Sequence, residues 1–399
     1  MRRNWVVLLI ALGVDNLGSG LFLPLTMVYV TRVVGLPLGV AGAAVTAGTV
    51  AGLLVPALVG PLVDRVGPRP VVVVSQVLQA VAALVYLTAS GVASVVVGAL
   101  LLAMGQQMFY SALFALIADV AGTGPKDRAF AVVGMVRSAA FGFGALAAGV
   151  LLAGGDTVLR WAIGVDGLTF VVAAGLAVLL RVSHQRPARD EPNGVGVLRN
   201  RPYLLLIGTT MLFSLAVDFF LIGVPVFVLD VLHGPNWLPG VLLALLTAMS
   251  ALFGTAMLRL TRRWSRLGAM SLGAVLFATW CLISVAARWL PSAVQPGYLV
   301  GAVVVFGTGN LIFGPRANAL AEAAAPVASR GRHLAAFQYA FTLAGVLAPA
   351  VVGLFSVSYW LPWLVVALAC LTASVLLRPL ATKLPASAVA VDQPPFRVR

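Results

Sequence analysis

Long runs of apolar residues, separated by short polar segments, recur along the whole chain. Twelve of these runs approach or exceed the length of about 20 residues that an α-helix needs to cross a bilayer. They cover residues 5–31, 39–63, 70–90, 93–118, 129–153, 161–180, 203–228, 237–260, 268–287, 298–320, 333–356 and 360–377. None alternates with the two-residue period of a membrane β-barrel strand. The pattern predicts an all-α membrane protein with twelve transmembrane helices, numbered here as spans 1 to 12.

The composition supports this prediction and excludes several other classes of protein. Of the 399 residues, 61% are hydrophobic and 10% are charged, whereas soluble domains have about 25% charged residues. The net charge of +14 is spread over many short clusters and not over one face, so we expect no nucleic-acid partner. The sequence contains no phosphate-binding loop, catalytic triad or metal-ligand cluster. We therefore expect neither an enzyme nor a bound cofactor or metal.

The positions of Lys and Arg predict the orientation in the membrane. If the N-terminus lies inside, 23 of the 26 Lys and Arg residues fall on the inner side, and only Arg32, Arg160 and Arg288 fall outside. Positive residues concentrate on the cytoplasmic side of membrane proteins, so both termini are expected in the cytoplasm. Frequent Arg, Ala, Val and Gly indicate a GC-rich bacterial genome. We expect a multi-pass protein of the bacterial inner (plasma) membrane, and "inner" and "outer" below refer to this predicted orientation.

A polar segment after span 6 divides the chain into two groups of six spans. A shift of 203 residues superposes polar residues of the two groups, pairing Asp15 with Asp218, Asp119 with Glu322, and Gln107 with Asn310. Parallel repeats of this kind occur in secondary transporters. We predict an N-terminal six-helix bundle (1–180), a cytoplasmic central linker (181–202), a C-terminal six-helix bundle (203–378) and a cytoplasmic tail (379–399).

The most specific motif lies between spans 2 and 3, in the segment Gly60–Pro70. It resembles the signature Gly-x-Leu-x-Asp-Arg-x-Gly-x-Arg/Lys of the major facilitator superfamily (MFS). The matching residues are Gly60, Leu62, Asp64, Arg65, Gly67 and Arg69. Together with the twelve-span layout, the resemblance covers about residues 5–378. It implies the MFS fold, with two pseudo-symmetric six-helix bundles that alternate in exposing a central site to the two sides of the membrane.

The resemblance also implies a role for this motif in gating. In the family, the loop is taken to latch the two halves together, and the partner here would lie near Arg332. The alternative is that the motif sets only topology and turn shape. Further charges on the inner face could form ion pairs between the halves or remain solvated. These inner-face candidates are Asp119, Arg128, Glu322, Arg330 and Arg332.

Two acidic residues lie inside predicted spans, Asp15 in span 1 and Asp218 in span 7. An ionisable group at this depth is costly and indicates a functional site. Burial favours the uncharged form of a carboxyl group, so both residues are candidates for proton coupling. The alternative is a carboxylate that only holds helices together. The pair Asp15-Asn16, followed by Pro24, resembles the first span of a multidrug-exporter branch.

Polar and aromatic residues of several spans form a candidate substrate cavity. The stripe of Asp15, Gly18, Phe22, Thr26 and Tyr29 shares one face of span 1. The complete set of cavity candidates is Phe22, Thr26, Gln106, Gln107, Tyr110, Arg137, Asn310, Arg316, Gln338 and Tyr339. The alternatives are hydrogen bonds between helices and, for the two arginines, extension to the inner surface. Gln76 and Gln79 are assigned a structural role, and Asp166 is assigned to a helix start near the outer edge.

These features predict a secondary transporter that couples efflux of small amphipathic or drug-like molecules to proton entry, similar to the drug/proton antiporter (multidrug efflux) group. That group often has Gly-Pro-x-x-Gly-Gly in span 5, but here only Gly144 and Gly149 remain of it. A proton-coupled importer or facilitator of a metabolite is therefore the alternative. A membrane-embedded enzyme and a non-transporting sensor are remote alternatives. We expect a monomer whose partners are substrate, protons and the bilayer, with the proton gradient as energy source.

The gating assignment predicts that Asp64→Asn lowers transport without changing the amount of protein in the membrane. The substitution removes the carboxylate that is expected to interact with a helix N-terminus at the inner membrane edge. Substrate flux and membrane abundance should be measured on the same cells. Unchanged flux would contradict the gating assignment.

Overall fold

The computed structural model describes residues 2–121, 126–151, 155–181, 196–261, 264–326 and 330–385. Within these residues the chain forms fifteen α-helices and no β-strand. Ten helical segments are long and apolar enough to cross a membrane, and two shorter apolar helices add to them. The all-helical membrane fold predicted from the sequence is therefore confirmed.

Eight helices form the first six spans. Helices α1 (Arg2–Phe22) and α2 (Thr26–Arg32) form span 1, and α3 (Leu38–Gly52) and α4 (Val55–Val66) form span 2. Spans 3 to 6 are α5 (Pro68–Leu87), α6 (Val92–Ala121), α7 (Lys126–Leu151) and α8 (Asp156–Leu179). Pro24 lies within the interruption of span 1, and Pro56 lies in the first turn after the interruption of span 2. Proline lacks the N–H that would continue the helical hydrogen bonding.

Seven helices form the last six spans. These are α9 (Arg201–Val226), α10 (Leu238–Leu260), α11 (Arg266–Ala286), α12 (Gln295–Ala324), α13 (Arg330–Phe337), α14 (Tyr339–Gly353) and α15 (Leu361–Lys383). Helix α9 continues into a π-helical turn at Phe227–Val231, and span 11 is interrupted at Gln338 between α13 and α14.

The described residues form two compact units. The first lies within Met1–Asp190, Leu221–Ala244 and Pro349–Val357, and the second within Glu191–Phe220, Leu245–Ala348 and Ser358–Arg399. The predicted boundaries at residues 180 and 203 concern the sequence repeat and stay predictions. Most of the predicted linker and tail, residues 182–195 and 386–399, lies outside the described residues.

Close helix crossings in the first unit depend on glycine. Gly20 of α1 lies against the carbonyl oxygen of Phe141 in α7, and Gly144 of α7 lies against the carbonyl oxygen of Leu17. A methyl group at either glycine would overlap the backbone of the other helix. Small residues allow this close approach between helices in a membrane.

The first unit also contains the outer ends of α9, α10 and α14. Gly149 of α7 meets Gly240 of α10 backbone to backbone, and Gly42 of α3 meets the backbone of Gly353 in α14. The guanidinium of Arg32 forms an ion pair with Asp230 at 3.3 Å.

The second unit is built around an aromatic core. The ring of Phe220 stacks on Phe306 with centroids 4.4 Å apart, and Trp280 packs against both Phe306 and Trp363. These side chains come from α9, α11, α12 and α15. Contacts between aromatic rings therefore connect four helices in the interior of this unit.

We predict that Gly144→Ala destabilises the protein, because the added methyl group forces α7 away from α1. Overpacking of this kind costs about 1–3 kcal/mol, which should lower the unfolding temperature of the purified protein in detergent. Gly164→Ala in α8 is the matched control, since a methyl group there meets no atom within 4 Å. Equal unfolding temperatures for the two variants would contradict this account of the crossing.

Candidate functional site

A cavity of about 90 Å³ lies between helices of the first unit. Its polar lining comes from Asp15, Asn16, Ser19, Gln79, Gln106, Tyr110 and Asp166, and its aromatic lining comes from Phe22, Phe109, Phe141 and Phe170. A volume of this size holds several water molecules. The helices thus bring two carboxyl groups and three amide groups to one space that is otherwise mainly apolar.

Asp15 is fixed by two amide groups. It lies on α1 with 5% of its surface exposed. The Nε2 atom of Gln76 donates a hydrogen bond to its Oδ1 atom at 2.8 Å, and the Nδ2 atom of Asn16 donates to its Oδ2 atom at 3.1 Å. Both carboxyl oxygens therefore accept an N–H group, as a buried acidic group requires.

The assignment of Asp166 to a helix start was wrong. Helix α8 begins at Asp156 and not near residue 161, so Asp166 lies almost three turns into the helix. Its exposed fraction is 2%, and it lines the same cavity as Asp15. The sequence analysis placed Arg160 outside span 6, but Asp156 and Arg160 belong to the first turns of α8. A carboxyl group predicted at the surface is thus buried beside the first one.

The sequence assigns a structural role to Gln76 and Gln79, and both lie at the candidate site. Gln76 holds Asp15, and Gln79 lines the cavity. Both belong to α5, one turn apart on the same face. Span 3 therefore contributes directly to the surroundings of the buried acid.

The predicted stripe on span 1 serves two purposes. Phe22 lines the cavity next to Asp15. Gly18 lies against Asp166 and Thr169 of α8, and the hydroxyl group of Tyr29 donates to the carbonyl oxygen of Tyr86 at 3.0 Å. Thr26 is buried and donates to the carbonyl oxygen of Phe22. Only part of the stripe faces the cavity, because the rest packs on neighbouring helices.

Arg137 of α7 lies beside the aromatic side of the cavity. Its guanidinium donates to the Tyr110 hydroxyl group at 3.1 Å and lies 5.1 Å from the centre of the Tyr110 ring. Arg137 also interacts electrostatically with Asp15. A cation above an aromatic ring is stabilised by the ring's negative face, so this arginine is held near the cavity.

Gln106 lies on the lining as predicted, whereas Gln107 is half-buried outside it.

In the second unit, Asp218 is half-buried on α9 and its Oδ2 atom faces Gly345 of α14, 3.7 Å from the position of a methyl group there. Asn310 is half-buried on α12, Tyr339 is half-buried at the start of α14, and Gln338 is exposed at the interruption of span 11. The described contacts do not join these candidates into one cluster as they do Asp15 and Asp166.

Arg316 has a structural position that the sequence did not indicate. Its side chain is buried, and its guanidinium donates to the carbonyl oxygen of Thr261 at 2.8 Å and to the Thr261 hydroxyl group. Thr261 directly follows α10, so Arg316 satisfies carbonyl groups at the C-terminal end of that helix, where a positive charge is favourable. This contact holds α12 to α10 within the second unit.

The predicted gating motif forms a helix end and a single-residue turn. Leu62 and Arg65 are exposed on α4, and Gly67 separates α4 from α5 with a φ angle of 87°, which favours glycine. The guanidinium of Arg69 donates to the carbonyl oxygens of Ala177 and Val178 at the end of α8. Gly60 lies within α4, and the side chain of Asp64 lies outside the described part.

The inner-face charges are placed only in part. Asp119 is half-buried and Glu322 is exposed. The side chains of Arg128, Arg330 and Arg332 lie outside the described part of the chain, so the predicted ion pairs and the predicted latch stay predictions.

Comparison with known proteins identifies the family. The sequence model of the Major Facilitator Superfamily matches residues 8–349. The chain belongs to the Major Facilitator Superfamily. No individual curated protein matches it. Membership of this family identifies the chain as a transporter and not an enzyme, as the sequence predicted.

Solved structures with the same fold include a peptide transporter, a nucleoside transporter and a metal transporter. An auto-inhibited peptide transporter of the POT family is 13% identical, with a TM-score of 0.78 over 99% of this chain and 99% of that chain. The nucleoside transporter NupG is 12% identical, with a TM-score of 0.76 over 94% and 99%. A bacterial metal transporter is 15% identical, with a TM-score of 0.67 over 95% and 99%. These likenesses confirm the MFS fold and leave the substrate open.

We predict that Arg316→Gln acts on stability and not on substrate affinity. Hydrogen bonds from a charged group contribute about 1.5–3 kcal/mol, so the unfolding temperature in detergent should fall. The matched control is Arg378→Gln, which changes an exposed arginine on α15. A higher KM for substrate at unchanged stability would instead support the substrate-cavity assignment.

Proposed function

We propose that this MFS protein exports small amphipathic or drug-like molecules in exchange for protons, by alternating access. The observation that carries the proposal is the buried carboxyl group of Asp15 on the lining of a mainly aromatic cavity. A carboxyl group that can change its charge on the lining of a cavity is what coupling of proton and substrate requires.

The cavity lining supports the proposed substrate class. Five aromatic side chains line it together with two glutamines and two carboxyl groups. Aromatic rings offer large apolar contact areas, and the amides offer a few hydrogen bonds. Such a lining favours molecules with an apolar body and a small polar or cationic part over sugars or phosphates.

Import of a small metabolite with protons is the second candidate function. Structures of the same fold include a peptide transporter and a nucleoside transporter, and the span 5 signature of antiporters is incomplete in this chain. The two functions require the same buried acid and differ in the direction of substrate flux. The proposal for export rests on the apolar lining.

The proposal includes the setting expected from the sequence. The transporter would work as a monomer in the bacterial inner membrane, with both termini in the cytoplasm. The proton gradient would be its only energy source, with no further cofactor. Asp218 would be a second proton-coupling residue, at the repeat-related position of the C-terminal half.

The proposal predicts proton movement that depends on substrate. The full-length protein should be reconstituted in liposomes that contain a pH-sensitive dye, with an imposed pH gradient and a panel of cationic, neutral and anionic drugs. Transport of a compound should move protons across the membrane, because a carboxyl group binds a proton on one side and releases it on the other in each turnover. Asp15→Asn should abolish this signal, since it removes one of the two carboxyl groups on the lining of the cavity.

Asp218→Asn measures whether the second acid is also required. Asp156→Asn is the matched control, because Asp156 is an exposed acid at the first turn of α8. Substrate that accumulates on the same side as the protons would favour the importer. Proton movement that is equal in wild type and Asp15→Asn would contradict the role of Asp15.

A further inference from the structure

Asp15 and Asp166 form a buried pair of carboxyl groups between α1 and α8. Gly18 lies one turn after Asp15 on the same face of α1. A methyl group at Gly18 would lie 2.7 Å from the Oδ1 atom of Asp166. The two acids also line one cavity and interact electrostatically. The absence of a side chain at Gly18 thus gives the carboxyl group of α8 room beside α1.

The hydrogen bonds of the two carboxyl groups differ. Both oxygens of Asp15 accept N–H groups, from Gln76 and from Asn16. The Oδ1 atom of Asp166 is buried without a hydrogen-bond partner among the described residues. The nearby hydroxyl group of Thr169 donates to the backbone carbonyl of Asp166 at 2.7 Å. Donors therefore stabilise a negative charge on Asp15 and leave Asp166 without comparable support.

Among the described residues, one positive charge interacts with this pair. Helix α7 contributes Arg137, which interacts with Asp15 and donates to Tyr110 of α6. The residues that α5 presents, Gln76 and Gln79, are neutral. Two carboxylates in one poorly solvated site repel each other, so such pairs usually hold one proton. The local charges balance when Asp15 is ionised against Arg137 and Asp166 is neutral.

We propose that Asp15 and Asp166 form one proton-binding pair, in which Asp15 keeps the negative charge and Asp166 carries the exchangeable proton. Binding adds H⁺ to one carboxylate oxygen of Asp166, and release returns it to water in the cavity. Only the O–H bond forms and breaks. The inference rests on the proposed proton coupling and assigns its proton to a residue of α8 instead of Asp15.

Infrared difference spectroscopy tests where the proton lies without any substrate. The full-length protein in lipid should be compared between neutral and alkaline pH. Wild type should lose a carbonyl band of a protonated carboxyl group as the pH rises. Asp166→Asn should lack this component, whereas Asp156→Asn, an exposed acid on the same helix, should retain it. A band of equal size in wild type and Asp166→Asn would overturn the assignment.

A second variant keeps the test valid if Asp166→Asn does not fold. Gln76→Leu removes one of the two donors to Asp15, so Asp15 should take up a proton more readily and the band at neutral pH should grow. No growth would contradict the proposed division of charge. Replacement of choline chloride by sodium chloride should leave the band unchanged, and its loss in sodium would show that the oxygens bind a cation instead.

Flux measurements separate this inference from the proposed function. Ethidium serves as the probe in the liposome assay. If wild type moves no protons with ethidium or with the other drugs of the panel, the proposed export fails, while the infrared result still decides the position of the proton. If wild type couples ethidium to protons, Asp166→Asn should keep ethidium exchange at equal pH and lose accumulation driven by a pH gradient. Retained accumulation would overturn the role of Asp166.

Discussion

A carboxyl group inside a membrane protein needs polar partners from the surrounding helices, because the bilayer offers none. In this transporter the requirement is met at Asp15, where Gln76 of α5 and Asn16 of α1 supply the N–H groups. The arrangement demands close packing of α1 against α7 and α8, and glycines at positions 18, 20 and 144 permit it. The buried carboxyl group and the glycines around it therefore occur together at the same helix contacts.

The sequence predicted the fold because the signal for a membrane helix is local. Each predicted span corresponds to helical structure within a few residues, from α1 at Arg2–Phe22 to α15 at Leu361–Lys383. The interruptions of spans 1, 2 and 11 were not predicted. Two of them lie beside Pro24 and Pro56, so the signal was present in the sequence. The break at Gln338 is not marked by a proline.

The candidate site was harder to predict because it depends on how each helix is rotated. Asp15 was found from its cost in a membrane, but its partner Gln76 lies 61 positions away on α5. The place of Asp166 in the site was missed because the charged residues at the start of α8 were not assigned to the helix. Arg316 looked the same as a ligand-binding arginine in the sequence, and only the end of α10 beside it identifies its structural role. The apolar runs of the sequence indicate how deep a residue lies in the membrane. Which side chains it contacts depends on how the helices pack.

The crossing of Gly149 and Gly240 has a consequence for how α7 and α10 can separate. The two helices touch there through backbone atoms of the two glycines, with no side chain between them. The neighbouring ion pair of Arg32 and Asp230 is partly exposed, and pairs of this kind contribute about 0–1 kcal/mol. Separation of α7 and α10 at this crossing would therefore break contacts between the two backbones without requiring any side chain to change its rotamer.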